Sequence, residues 1–198
     1  SNGSVIMDDN GSYTYTPVQH WNGTDSFTYM VSDEASGSDI ATVTLTVNVA
    51  NDLVTLTNSI DNYTVLEDAT ATTVADLDDV FDDIDILNGD PSTFQTLTYS
   101  VVGNTNSDLA TPSIDADTGV LTVSYTSDDN GSATITVRAD DSNGSTLDES
   151  FTVTITAVND YVTLTSFIDD YTILEDATAT TVADLDNIFD DIDILNGD

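Results

Sequence analysis

Apolar and polar residues alternate along most of the chain with the period of two that half-buried β-strands show. The clearest runs are ATVTLTVNV (41–49), SATITVRA (132–139) and ESFTVTITAV (149–158). Val, Ile and Thr fill these runs, and their branched side chains suit a pleated sheet. Asn-Gly pairs such as Asn22-Gly23 and Asn130-Gly131 fall between runs and favour tight hairpin turns. The pattern therefore predicts an all-β protein.

One segment, ADLDDVFDD (75–83), departs from the alternation. Val74, Leu77, Phe81 and Ile84 stand at i, i+3, i+7 and i+10, which is the spacing of one helical face. We expect a short helical turn here, lying over one end of a β-sandwich.

A long internal repeat sets the domain organisation. Residues 53–90 and 161–198 align without a gap, and 31 of the 38 positions are identical. The offset is constant (160 − 52 = 108), and a period of 108 residues suits one small β-sandwich better than a solenoid coil. We therefore predict tandem Greek-key β-sandwiches: the C-terminal half of one repeat at 1–52, a complete repeat at 53–160 and the N-terminal half of the next at 161–198. Each half should be completed by a neighbouring subunit or, as we favour, by continuing chain.

Charge narrows the possible partners. The chain has one Lys or Arg against 37 Asp and Glu, a net charge of −36. Binding to phosphate backbones needs clustered Lys and Arg, so nucleic acid and anionic membranes are excluded as direct partners. No apolar run reaches the roughly 20 residues of a membrane span, and no cysteine is present to form a disulfide framework. The partners that such a surface attracts are cations.

The acidic residues are densest in FDDIDILNGD (81–90), shortly after TVLED (64–68). Carboxylates within about 4–6 Å of one another destabilise a fold unless a cation lies between them. Calcium binds such oxygen ligands. Zinc favours His and Cys, and the chain has one His and no Cys. The loop is not an EF-hand, because Leu87 and Phe94 stand where ligands belong. Either the acids meet from separate loops around Ca²⁺, or they only solvate the loop ends.

Two longer stretches resemble known families. Residues 114–160, with IDADTG, VRADD and the closing VND, resemble the second half of a cadherin-type repeat. Residues 10–33, NGSYTYTPVQHWNGTDSFTYMVSD, resemble the cadherin-like repeats of giant bacterial surface proteins. The resemblance implies a calcium-binding cadherin/Ig-like sandwich, with ions held at the joints between consecutive repeats.

The resemblance also implies which residues bind the ions at each joint. The first joint would use Asp25, Asn51, Asp52, Asp83, Asp85 and Asp140. The second would use Glu67, Asp128, Asp129, Asn159, Asp160, Asp191 and Asp193. The chain departs from the family pattern in two ways: Ala50 and Ala157 replace an Asp with which the family's linker usually begins, and the acidic loop TSDDNG matches only loosely. One carboxylate fewer per joint implies fewer or weaker ions than in animal cadherins.

Catalysis has little support in the sequence. His20 is the single imidazole, and we expect it to be a half-buried structural residue beside Trp21. Trp21, Tyr13 and Tyr29 could form a stacking platform for sugars, although strand alternation favours core positions for the two tyrosines. We therefore predict a calcium-rigidified segment of an extracellular, cell-surface or secreted bacterial stalk, adhesin or filament, without enzyme activity. The partners would be neighbouring repeats head to tail, and the alternative is an adhesion module that binds carbohydrate or matrix.

Overall fold

A computed structural model describes residues 2–87 and 95–191, and these residues confirm the all-β class. The strands are β1 (Gly3–Met7), β2 (Tyr13–Pro17), β3 (Gly23–Ser32), β4 (Ser38–Val47), β5 (Thr55–Leu56), β6 (Tyr63–Leu66), β7 (Thr72–Asp76), β8 (Phe81–Asp82), β9 (Thr98–Asn104), β10 (Ala110–Ile114), β11 (Val120–Tyr125), β12 (Gly131–Asp140), β13 (Thr146–Thr156), β14 (Thr163–Leu164) and β15 (Phe189–Asp190). The helical turns are α1 (Leu77–Val80), α2 (Ile84–Leu87) and a 3₁₀ turn at Leu185–Asn187.

The predicted helical turn exists, but it is interrupted. α1 ends at Val80, the next two residues form β8, and α2 begins at Ile84. β8 pairs antiparallel with β5, with Thr55 opposite Asp82 and Leu56 opposite Phe81. Phe81 and Asp82 are therefore extended, because they pair with β5, although the apolar residues of this segment have helical spacing.

The chain divides into two compact units. The first contains Ser1–Thr57, Phe81–Thr98 and Ala139–Leu147. It holds the β1–β2 pair and the long β3–β4 hairpin, whose register runs from Gly23 opposite Val47 to Ser32 opposite Ser38. Along β4, Val43, Leu45 and Val47 are half-buried while the intervening residues are exposed, so the predicted period of two is present.

The second unit contains Asn58–Val80, Tyr99–Arg138 and Asp148–Asp198. A three-stranded sheet has the order β10-β11-β7, and a four-stranded sheet has the order β6-β13-β12-β9. β6 runs parallel to β13, from Tyr63 opposite Val153 to Leu66 opposite Thr156. The fully buried side chains come from alternate strand positions, and they include Leu121, Val123, Ile135, Val137, Phe151, Val153 and Ile155.

The repeat in the sequence reappears as a repeat in strand pairing. Thr163 lies opposite Asp190 and Leu164 opposite Phe189, which reproduces the β5–β8 pairing 108 residues later (163 − 55 = 108). Burial differs between the copies, however: Phe81 is 2% exposed and Phe189 is 50% exposed. The predicted bounds 1–52, 53–160 and 161–198 stay a prediction. Among the described residues, no helix has the length and apolar character needed to cross a membrane.

Candidate cation-binding sites

Acidic side chains from three segments of the first unit meet in what we call the first acidic cluster: Asp52, Asp83, Asp85 and Asp141, with the amides of Asn51 and Gln95. Asp52 lies between β4 and β5, and Asp83 and Asp85 flank the start of α2. Asp141 follows the last residue of β12. Asp83 and Asp141 are almost completely buried, at 0% and 1% exposed.

Hydrogen bonds connect these segments. The Asp85 amide donates to Oδ1 of Asp83 at 2.9 Å, and the Asp52 amide donates to Oδ2 of Asp85 at 2.8 Å. Asn51 Nδ2 donates to Oδ2 of Asp141 at 2.9 Å, and Gln95 Nε2 donates to Oδ1 of Asn51 at 2.6 Å. The linker segment at residues 51–52 is therefore tied to two loops that are distant in sequence.

Two buried side-chain oxygens of this cluster accept no hydrogen bond from the described part of the chain: Oδ2 of Asp83 and Oε1 of Gln95. Burial raises the pKa of Asp83, and the neighbouring carboxylates of Asp85, Asp141 and Asp52 raise it further, against one backbone hydrogen bond that lowers it. A buried carboxylate among like charges is a costly arrangement unless a cation is bound.

Asp141 is held in its ionised form. Burial alone would raise its pKa, but hydrogen bonds from Asn51 and from the backbone amides of Ser145, Asn143 and Gly144 hold the pKa below its usual value. The Asp141 carboxylate therefore stays negative, and it is one of the neighbouring charges that act on Asp83. Hard divalent cations such as Ca²⁺ bind carboxylate and amide oxygens of this kind.

A cleft of about 320 Å³ opens beside this cluster in the first unit. Its lining includes His20, Trp21, Asp52 and Asp85. His20 Nδ1 lies 2.7 Å from Oδ2 of Asp52, and the His20 side chain is 29% exposed. The sequence suggested a structural histidine beside Trp21; its carboxylate partner, 32 residues away, had no sequence signal.

The second acidic cluster lies in the second unit and consists of Asp68, Asp128 and Asp160. In the described part of the chain, it is the one group of three acidic or histidine side chains whose ligand atoms all lie within 4.8 Å of one another. The Asp128 amide donates to Oδ1 of Asp68 at 3.1 Å. Asp68 and Asp128 have positive φ angles, 62° and 54°, so both lie in tight turns.

Buried Glu67 fixes the chain next to this cluster. Its Oε1 accepts a short hydrogen bond from the backbone amide of Val158. Asn159 Nδ2 donates to the carbonyl oxygen of Asp160 at 2.6 Å, as Asn51 does to Asp52 at 2.8 Å in the first unit. The two linker segments therefore adopt the same local turn.

The structure brings together only part of the predicted ligand sets. It unites Asn51, Asp52, Asp83 and Asp85 in the first cluster, and Asp128 and Asp160 in the second. Asp140 instead accepts a hydrogen bond from the Ser142 amide. Asp129 and Asp191 are half-buried, and Asp193 lies outside the described residues.

Asp25 is engaged elsewhere in the first unit. It accepts hydrogen bonds from the Asn2 amide at 2.8 Å and from the Tyr15 hydroxyl at 3.0 Å. The backbone hydrogen bond from Asn2, followed by that from Ser26, lowers the pKa of Asp25. Its contacts connect β3 to the strand pair β1–β2.

Three cluster residues are absent from the predicted sets: Asp68, Gln95 and Asp141. A signal for Asp141 does exist. Ala133, Ile135, Val137 and Ala139 are all buried, and the same period of two places Asp141 inward and Asp140 outward. The A-x-D spacing counted from Ala139 also ends on Asp141.

Comparisons with known proteins agree with this architecture. The family model described as "Bacterial Ig domain" matches residues 1–46. The structure of protocadherin gamma B7 extracellular cadherin domains 1–4 is similar, with a TM-score of 0.51, 19% identity, and coverage of 85% of this chain and 43% of that one. The structure of protocadherin gamma B2 extracellular cadherin domains 1–5 has a TM-score of 0.51 and 17% identity, and the match covers 83% of this chain and 33% of that one. The structure of the protocadherin gamma B4 extracellular domain has a TM-score of 0.50 and 16% identity, and the match covers 78% of this chain and 26% of that one.

These comparisons show the fold: a tandem cadherin/Ig-like β-sandwich. The chain spans less than half the length of the protocadherin structures that it matches. No curated protein matches the chain. Bacterial Ig-like and cadherin-like domains are typically extracellular and non-catalytic.

Proposed function

We propose that this chain is a calcium-rigidified segment of an extracellular bacterial stalk, adhesin or filament. The observation that carries the proposal is the buried Asp83 carboxylate, whose Oδ2 accepts no hydrogen bond in the described part of the chain and whose neighbours are Asp85, Asp141 and Asp52. A cation among these oxygens would attract each carboxylate and so offset the repulsion between them.

The protein itself can supply almost no compensating charge. Arg138 is the one Lys or Arg in the sequence, and it donates two hydrogen bonds to Asp148, at 2.6 and 2.8 Å. Apart from His20 beside Asp52, positive charge at the first cluster would come from a cation in solution. The donors at both clusters are carboxylate and amide oxygens, which favours calcium over zinc.

Calcium at these clusters would stiffen the chain because each cluster joins distant segments. In the first unit, the ion would tie residues 51–52 to the α2 segment and to the turn after β12. In the second unit, it would tie the turn after β6 to Asp128 and to the linker at Asp160. We also propose that neighbouring repeats, in the same chain or in a neighbouring subunit, cover the exposed apolar side chains of residues 161–191.

The test compares the chain in calcium, in magnesium and in chelator. Extracellular modules bind calcium with dissociation constants of about 10⁻⁴–10⁻³ M, and a ligand at 100 times its dissociation constant stabilises the folded state by about 2.7 kcal/mol per site. Calcium should therefore raise the melting temperature and narrow the distribution of dimensions in small-angle scattering, and magnesium should do so less because it demands a tighter octahedral shell. Equal melting and equal scattering in calcium and chelator would contradict the proposal.

The cleft beside the first cluster favours a second candidate, carbohydrate or matrix adhesion. Trp21 lines it together with polar Gln19 and Asn22, and apolar ring faces next to polar side chains suit sugars. Glycan-array binding that Trp21→Ala abolishes would support this function. A spacer segment should bind no glycan in either form.

A further inference from the structure

His20 and Asp128 stand at equivalent positions of the repeat, next to the equivalent residues Asp52 and Asp160, but they differ in chemistry. His20 precedes Asp128 by the repeat offset (128 − 20 = 108), and each stands two residues before an Asn-Gly pair. His20 has a φ of 58° and Asp128 a φ of 54°, and Gly23 and Gly131 have φ angles of 126° and 137°. The backbone therefore makes the same left-handed turn in both places.

The partner of each residue is also equivalent. His20 Nδ1 contacts Asp52, and the Asp128 carboxylate lies near that of Asp160, again 108 residues later (160 − 52 = 108). An imidazole thus occupies the position in the first unit that a carboxylate occupies in the second. Because an ionised carboxylate only accepts hydrogen bonds, Nδ1 of His20 is the donor to Asp52.

This exchange has two consequences for a cation at the first acidic cluster. His20 brings no negative charge to a position where a carboxylate would, and ligand charge count is a main determinant of calcium affinity. In addition, Oδ2 of Asp52 already lies 2.7 Å from Nδ1 of His20, so an ion that binds this oxygen must displace the imidazole or share the oxygen with it. Buried Asp83 still presents an oxygen without a donor among the described residues, so the site remains a cation site.

We infer that His20 weakens calcium binding at the first acidic cluster, because it holds Oδ2 of Asp52 and stands where the second unit has a carboxylate. The inference rests on the proposed function, because it assumes that the first cluster binds calcium.

Trp21 provides a readout for the first cluster alone. It is the single tryptophan of the chain, and it lines the cleft that also contains Asp52 and Asp85. Its fluorescence, excited where tyrosine does not absorb, should report filling of the first cluster, while titration calorimetry counts ions at both. The wild-type chain should show a calcium-dependent Trp21 change with a defined midpoint.

The decisive variant is His20→Asp, which gives the first cluster the residue of the second. The calcium midpoint of the Trp21 signal should fall at least about tenfold, since ligand charge count tunes calcium affinity over several decades. His20→Ala, which only releases Asp52, should lower the midpoint less. Gln19→Asp adds the same charge one residue away, and it should shift the midpoint less than His20→Asp.

The converse variant, Asp128→His, should weaken calcium binding at the second cluster in calorimetry and leave the Trp21 midpoint unchanged. An unchanged midpoint in His20→Asp, in a protein whose circular dichroism matches wild type, overturns the inference while leaving the proposed function in place. An equal shift in Gln19→Asp also overturns it, because net charge rather than position would then be responsible. Wild-type chain that shows neither heat nor a Trp21 change with calcium overturns both.

Discussion

Asn51 Nδ2 donates a 2.9 Å hydrogen bond to Oδ2 of Asp141, across a separation of 90 residues in the sequence. This contact joins the linker after β4 to the turn after β12 within the first unit. Gln95 extends the connection by donating to Asn51 at 2.6 Å. The first acidic cluster is therefore a junction of three segments.

Adjacent aspartates should differ in their effect on calcium binding. Asp141→Asn should remove most of the calcium-dependent stabilisation at the first cluster, about 2.7 kcal/mol at 100 times the dissociation constant, because Asp141 is buried with its carboxylate in the cluster. Asp140→Asn changes the net charge equally, but Asp140 is bound to the Ser142 amide. Thermal melts with and without calcium measure the difference, and equal losses in the two variants would remove Asp141 from the site.

Neutralising Asp83 should have opposite effects with and without calcium. In chelator, Asp83→Asn should stabilise the chain, because it removes a buried charge from among the like charges of Asp85, Asp141 and Asp52. In calcium, the same variant should lose the gain that the ion provides. Denaturant unfolding in both conditions measures the two values. A variant less stable than wild type in chelator would show that Asp83 is satisfied without a cation.

The raised pKa of Asp83 predicts a pH dependence in chelator. The folded chain binds this proton more tightly than the unfolded chain, whose value is about 3.9. The resulting stabilisation is fully present below that value and is lost as pH rises through the raised folded pKa. Wild type should therefore lose more stability than Asp83→Asn across this window, as measured by denaturant unfolding at stepped pH. Parallel pH profiles for the two proteins would contradict the assignment.

Asp68 should contribute to the second cluster although no sequence motif designates it. Its carboxylate lies within 4.8 Å of those of Asp128 and Asp160, so Asp68→Asn should weaken calcium binding there. Asp61→Asn, an exposed acid in the same unit, is the matched control for net charge. Titration calorimetry should show weaker calcium binding in Asp68→Asn and unchanged binding in Asp61→Asn. Identical isotherms for the two variants would exclude Asp68 as a ligand.

The two copies of the repeated phenylalanine should differ in their contribution to stability. Phe81→Ala should cost about 3–5 kcal/mol, as expected for a large side chain removed from a core, since Phe81 is 2% exposed. Phe189→Ala should cost much less because Phe189 is 50% exposed. Calorimetric or denaturant unfolding of the two variants measures this, and equal costs would show that residues 161–191 are covered as fully as the complete repeat.

The alternation of apolar and polar residues determined the strands. In β12, the buried positions Ala133, Ile135, Val137 and Ala139 follow the period of two that is visible in the sequence, because successive side chains of a strand point to opposite faces. The internal repeat likewise predicted tandem sandwiches, and its two copies form the equivalent pairings β5–β8 and β14–β15. These features depend on neighbours in sequence or on identity between copies, so one sequence is sufficient to find them.

Only the tertiary structure decided which polar groups meet. Gln95 reaches Asn51 across 44 residues, His20 reaches Asp52 across 32, and Asp68 turns toward Asp128 across 60. None of these pairs has a fixed sequence spacing, since each is formed by turns and loops that the packing of separate strands brings together. The sequence by itself determined the strands, the repeat and the excess of carboxylates. The fold decided which of those carboxylates lie close together, because segments that are distant in sequence meet only when the strands pack.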